Sequence, residues 1–208
     1  DIIGPEEVKK LSEVTNTDSI LGALYDPLDG HLDPSGTTHA YAKAARMGGA
    51  TIETHCMVRE TNQRADGTWD VVTDKGTVHA EHVVNAAGLW AREVGAMAGV
   101  YLPLHPMEHQ YVVTDDIAQI YEAENEHPHV MDPAGESYLR QEGRGLCIGF
   151  YEQTCKPWAV DGTSWDFGHE LLPDDLDKIE DSIMFAYKRF PVLETAGVKS
   201  VIHGPFTF

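Results

Sequence analysis

His82-Val-Val-Asn-Ala-Ala-Gly-Leu-Trp-Ala-Arg92 is the stretch from which the rest of the chain is read. Val83 and Val84 read as the end of a buried strand, Asn85-Ala-Ala-Gly88 as a tight turn, and Leu89 to about Ala98 as a helix. Three small residues at such a turn let the backbone come close to a ligand, and the helix start that follows favours an anion. The same residues also describe a well-packed strand-to-helix corner with no ligand, and at this point both readings stand. The signal that usually accompanies a nucleotide site is missing. There is no Gly-x-Gly-x-x-Gly, and Gly143-Arg-Gly145 followed by Gly149 has the wrong spacing and sits in a hairpin. Nor is there a Gly-Lys-Ser/Thr loop, so the chain is expected to hold only part of a dinucleotide site.

Working upstream, Asp33-Pro34 opens a helix that runs to about Met47, with Thr37, Tyr41, Ala44, Ala45 and Gly48 on one face. Strands are expected at Ala50–Thr54 and Met57–Asn62. Asp66-Gly67 then makes a hairpin before Trp69–Thr73, and Asp74-Lys-Gly76 turns into Thr77–Ala80. This is the layout of a small meander inserted into a nucleotide-binding fold. Near the start, Pro5–Leu11 reads as a short helix and Ile20–Tyr25 as a short strand.

Downstream the texture changes. His105–Thr114 alternates as a strand with polar groups on one face, and Ser137–Gln141 and Leu146–Tyr151 are strands joined through Gly143 and Gly145. A loop over about 155–173 carries Trp158 and Trp165, which either cover a substrate or pack locally. Asp174–Phe190 reads as a helix with Leu176, Ile179, Ile183, Tyr187 and Phe190 on one stripe. Asp174 and Asp175 suit its positive end, Lys188 and Arg189 its negative end. Pro191 stops it, and Val198–His203 is a last strand. The fold class is therefore α+β.

Composition bounds the function. The chain has 208 residues, 42% hydrophobic and 9% aromatic, which suits a globular fold with its own core. Its 15 basic and 34 acidic residues give a net charge of −19, a surface that repels phosphate backbones and argues against nucleic acid as a partner. No apolar run approaches the roughly 18–20 residues of a membrane span. Cys56, Cys147 and Cys155 form no close pair or metal spacing, which fits free thiols in a reducing compartment. Cys147 reads as a small buried hydrophobe. Among eleven histidines, His127-Pro-His129 and His79-x-x-His82 lack the Cys or carboxylate partners of a metal motif. The start, Asp1-Ile-Ile-Gly-Pro5, is not a signal pattern and lacks an initiator Met, so it is expected not to be a natural N-terminus.

Several stretches, in order, resemble the D-amino-acid-oxidase-like, FAD-dependent amine oxidoreductases. They are PEEVKKL, DGHLDP, DGTWDV, VVNAAGLWAREVGAMAG, PLHPMEHQYVVT, SYLRQE, GFYE and PVLETAGVKSVIHGP. The forms GHLDP and HQYVVT resemble the branch that oxidises dimethylglycine, with the sarcosine-oxidising enzymes as relatives. The resemblance implies that 33–100 is part of an FAD-binding domain whose N-terminal Rossmann unit is missing. It also implies a substrate-binding domain, truncated at its C-terminus, from 1–32 and 101–208. Residue by residue it places Val58, Ala86, Ala87, Gly88 and Trp90 against FAD, and His109 and Tyr138 at the reacting amine.

The implied activity is oxidative demethylation of N,N-dimethylglycine or a related N-methyl amino acid. The alternative is a non-catalytic relative resembling the regulatory subunit of pyruvate dehydrogenase phosphatase. The implied partners are the N-methylated substrate and, for the electrons, either oxygen or an electron-transfer flavoprotein, in the cytoplasm or, in a eukaryote, the mitochondrial matrix. Because half the cofactor site lies elsewhere, this stretch is expected to be inactive alone. The chemistry suits the two residues: a His with a near-neutral pKa can take the amine proton, and a Tyr can orient a methylated cation. Arg140 is available for a carboxylate but shares the side of the strand with Tyr138.

Overall fold

The computed structural model describes residues 1–151 and 153–207. In chain order the first half holds β1 (Ile2–Ile3), α1 (Pro5–Leu11), β2 (Ala23–Leu24), α2 (Pro34–Met47), β3 (Val58–Gln63), β4 (Trp69–Thr73), β5 (Gly76–Ala80) and α3 (Ala91–Met97). The second holds β6 (Pro106–Thr114), α4 (Ala118–Tyr121), β7 (Val130–Asp132), β8 (Ser137–Glu142), β9 (Gly145–Phe150), β10 (Lys156–Pro157), α5 (Glu180–Arg189) and β11 (Val198–Thr207). Two compact units result. One comprises Asp1–His31, Met107–Lys156 and Gly168–Phe206; the other is built on Leu32–Pro106 and Pro157–Phe167.

The first unit is organised by a six-stranded sheet in the order β10-β6-β9-β8-β7, with β11 also on β6. β6, β9, β8 and β7 pair antiparallel, and Tyr111, Gly149 and Tyr138 stand in one register row. Burial alternates residue by residue along β6. Val112, Leu139, Leu146, Ile148 and Phe150 point to the inner face and pack with Ile179, Ala186, Phe190 and Leu193. The stripe read from Asp174–Phe190 is this contact: a 3-10 turn over Leu176–Ile179 leads into α5, and Pro191 follows its end. β9 is buried along its whole length, as a central strand must be when both of its faces are covered.

Two polar side chains on the inner side reach partners on the segment and helix packed against the sheet. Gln110 bonds the backbone of Asp175 twice, donating to its carbonyl at 2.5 Å and accepting from its N–H at 3.2 Å. Arg189 stands in the last turn of α5, as expected, and is buried there. Its Nε donates to Asp132 at 2.7 Å and its Nη1 to the Asn16 carbonyl at 2.9 Å.

In the second unit β3, β4 and β5 form the expected meander, with Trp69 opposite both Gln63 and Ala80. α2 begins at Pro34 with Asp33 capping it, as the sequence predicts. None of its residues is buried, so its apolar face, including Tyr41, is exposed.

Two expected strands are corrected. Val83-Val84 and Ala50–Thr54 are irregular, and Val84 is exposed. A strand needs a ladder partner, and among the described residues neither segment has one. The β2 strand is likewise shorter than Ile20–Tyr25, and β10 interrupts the expected loop. No helix among the described residues is long and apolar enough to cross a membrane.

Asp132→Ala would leave the Arg189 guanidinium buried without its counter-charge. Equilibrium unfolding in denaturant is expected to show a loss of about 3–5 kcal/mol. A loss below about 1 kcal/mol would mean that the pair behaves as a surface ion pair.

Candidate active site

Strand alternation in the first unit sends His109, Tyr111 and Val113 of β6, Cys147 and Gly149 of β9, and Tyr138 and Arg140 of β8 to the outer face of the sheet. His109 and Tyr138 therefore share a face, but β9 runs between their strands. The Tyr138 ring lies over Gly149. Tyr151 stands beside it with ring centroids 5.6 Å apart, and His129 meets it edge-on at 5.8 Å. His109 packs edge-on against Phe206 at 5.8 Å, and its Nε2 lies 3.6 Å from the Cys155 sulfur. Behind it, on the inner face, buried Glu108 pairs with Lys156 at 3.1 Å and faces His203 Nε2 at 3.5 Å.

The protonation states follow from burial. The Tyr138 phenol is pushed up to about 12, by burial first and then by Cys147, Tyr151 and Tyr111 beside it, with Arg140 opposing. It is a hydrogen-bond donor, not a base. Burial also raises Tyr111, and it lifts the Cys147 thiol to about 11 against the pull of Arg140, which makes an inert thiol. His129 is held below the usual histidine range by burial and by the nearby His31 and Arg140. For Arg140, burial works against the charge, but the hydrogen bond and charge of Glu142 outweigh it and raise its pKa. A face of this kind offers aromatic walls to a cation and an imidazole as proton acceptor.

Sequence reasoning missed Tyr111, Tyr151, His129 and Gly149. Tyr111 was legible, since it lies two residues from His109 on an alternating strand. Of the two histidines set aside as a metal pair, His127 bonds Ser12 at 2.7 Å and His129 reaches Tyr138. His79 pairs with Asp70 at 2.5 Å.

The second unit carries the other expected residues. Val58 opens β3 opposite Thr73. Ala86 and Gly88 are exposed, and Gly88 adopts a φ of 55°, a left-handed backbone that favours glycine. Asn85 fixes this turn, accepting from the Ala87 N–H at 3.2 Å and donating to the Ala91 carbonyl at 2.8 Å. The Trp90 indole N–H donates to the Ser164 carbonyl at 2.9 Å. Trp158 takes a packing role, its ring 4.6 Å from Phe167.

Ala86, Ala87 and Gly88 thus form an open ledge with no side chain larger than methyl, which fits the close approach of a flat cofactor. Beside it, Arg92 is engaged by Glu93 and by the Ala159 carbonyl, each at 3.1 Å.

The chain is similar to known proteins along its whole length. The pattern described as FAD dependent oxidoreductase matches residues 1–206. Mitochondrial dimethylglycine dehydrogenase of Mus musculus is 44% identical over the whole chain, which spans 24% of that protein. Mitochondrial sarcosine dehydrogenase of Mus musculus is 38% identical over the whole chain, which spans 22% of it. The crystal structure of L-proline dehydrogenase from P. horikoshii superposes with a TM-score of 0.79 at 25% identity, covering 99% of this chain and 52% of that one.

The raised Tyr138 pKa has a consequence for stability. Its contribution is complete below pH 10.0 and is lost as pH rises towards about 12, because the unfolded phenol ionises first. Tyr138→Phe is expected to flatten the fall of unfolding free energy across that window. An unchanged profile would show that Tyr138 is solvated.

Proposed function

This chain belongs to the family of FAD-dependent oxidoreductases, and we propose that the protein carrying it oxidises an N-methyl group of a small N-methylated amino acid, N,N-dimethylglycine foremost. The observation that carries this reading is the outer face of the six-stranded sheet, where His109 and Tyr138 stand among half-buried aromatic groups. The relatives support the same substrate class, although the chain spans about a quarter of their length.

In this reading the unit containing Leu32–Pro106 serves the flavin, with Val58, Ala86, Ala87, Gly88 and Trp90 as its contacts, and the sheet of the other unit binds the amine. When bound, FAD supplies the acceptor for a hydride from the N-methyl carbon. The substrate becomes an iminium ion, which water converts to formaldehyde and the demethylated amine. Hydride loss needs the nitrogen lone pair, so the amine must first give up its proton. His109 takes it. Tyr138 keeps its own proton at neutral pH and orients the nitrogen, while the rings of Tyr138 and Tyr151 face the methylated centre. Glu142 neutralises Arg140, so the substrate carboxylate is not assigned to that residue.

The flavin-loaded protein, mixed with N,N-dimethylglycine without oxygen, is expected to lose its oxidised flavin absorbance. His109→Asn is expected to slow this by about 10²–10⁴-fold, the range for loss of a positioned proton acceptor. Flavin that stays oxidised with every N-methyl amino acid offered would overturn the reading in favour of a non-catalytic relative.

A further inference from the structure

Neighbouring strands lie about 4.8 Å apart, so residues on β6 and β8 are separated by roughly 10 Å of sheet. His109 and Tyr138 are two such residues, and β9 fills the gap. The β9 residue in register with Tyr138 is Gly149, and Tyr111 stands on its other side. A Cβ placed on Gly149 would fall 2.1 Å from Tyr138 Cζ and 2.3 Å from both Cε1 and Oη, inside the 3.0 Å that real Cβ contacts respect. The hydroxyl end of the ring therefore occupies the volume of the missing side chain.

The backbone gives no other reason for glycine here. Gly149 is not among the glycines with positive φ, so any residue could adopt its conformation. A glycine inside a strand weakens it, and its usual meaning there is the close approach of another group. The next outer-face residue of β9, Cys147, carries a side chain, so the opening is one residue wide. Tyr151 and His129 flank the ring and limit where else it can turn.

We propose that Gly149 is a positioning residue for the amine site: by having no side chain it seats the Tyr138 phenol across β9, towards the strand that carries His109. The proposal rests on the assignment of His109 and Tyr138 to the reaction. The half-buried phenol, with its proton held to about pH 12, is what such a seat produces. Any larger residue at 149 lifts the ring off the sheet, into water and into the space the substrate needs.

A double-mutant cycle on the flavin-loaded protein tests this, with Gly149→Ala, Tyr138→Ala and the pair compared with the parent. Three quantities are read: kcat/KM for N,N-dimethylglycine, the alkaline absorbance titration of the phenols, and the midpoint of thermal unfolding. Gly149→Ala alone is expected to lower kcat/KM about 100-fold, the scale of an ångström misplacement in an active site. It is also expected to move one phenol ionisation from about 12 towards 10.0. In the Tyr138→Ala background the same substitution is expected to change neither kcat/KM nor the midpoint, because the ring it strikes is gone. If Gly149→Ala fails to fold while the double variant folds, the seat is equally supported. Equal losses in both backgrounds, a double variant that also fails to fold, or an unshifted phenol titration would overturn the proposal. Full turnover by Tyr138→Ala would remove Tyr138 from the reaction, while titration and unfolding would still decide whether Gly149 seats the ring.

Discussion

β9 sits between β6 and β8 with both faces out of water, and that double burial sets the terms for the rest of the first unit. Its inner residues Leu146, Ile148 and Phe150 fill the core beneath α5. Its outer residues have to be small or weakly polar, because the outer face is covered as well, and they are Gly145, Cys147 and Gly149. A charged or bulky residue at any of these places would oppose one covering or the other. The same strand thus anchors the core and, on its other side, leaves the room in which Tyr138 lies. Stability and site geometry share one set of backbone positions.

The inner face follows from the same constraint. Burying one face of β6 takes Glu108 and Gln110 with it. Glu108 meets Lys156 and His203, and Gln110 is bound to the backbone of Asp175. These bonds tie the strand carrying His109 to the segment that leads into α5 and to β11. A proton acceptor on such a strand is held by a rigid element, the placement that suits catalysis.

Local signals wrote themselves plainly in the sequence. Pro5, Asp33-Pro34 and Pro191 marked helix ends, Asp66-Gly67 marked the hairpin, and the Leu176–Phe190 stripe found the core. What failed was non-local. Val83-Val84 looks like a buried strand because it is apolar, yet pairing depends on residues far away in the chain, and none of those described supplies it. β7 and α4 are too short for a period to emerge, and the helix-end charge of Arg189 gives no sign of its partners at Asp132 and Asn16. His109 and Tyr138 were drawn from resemblance. That they share a face follows from register, and the role of Gly149 between them was invisible without it.

In the proposed reaction the outer face around Tyr138 receives the methylated nitrogen. N,N,N-trimethylglycine has no lone pair on nitrogen and so cannot undergo the hydride loss, which makes it a stable stand-in for the substrate. The most direct measurement is a crystal structure of the flavin-loaded protein with this compound bound. The trimethylammonium group is expected within about 6 Å of the Tyr138 ring centroid, on the face that carries His109. The same group bound elsewhere, with Tyr138 and His109 untouched, would contradict that placement.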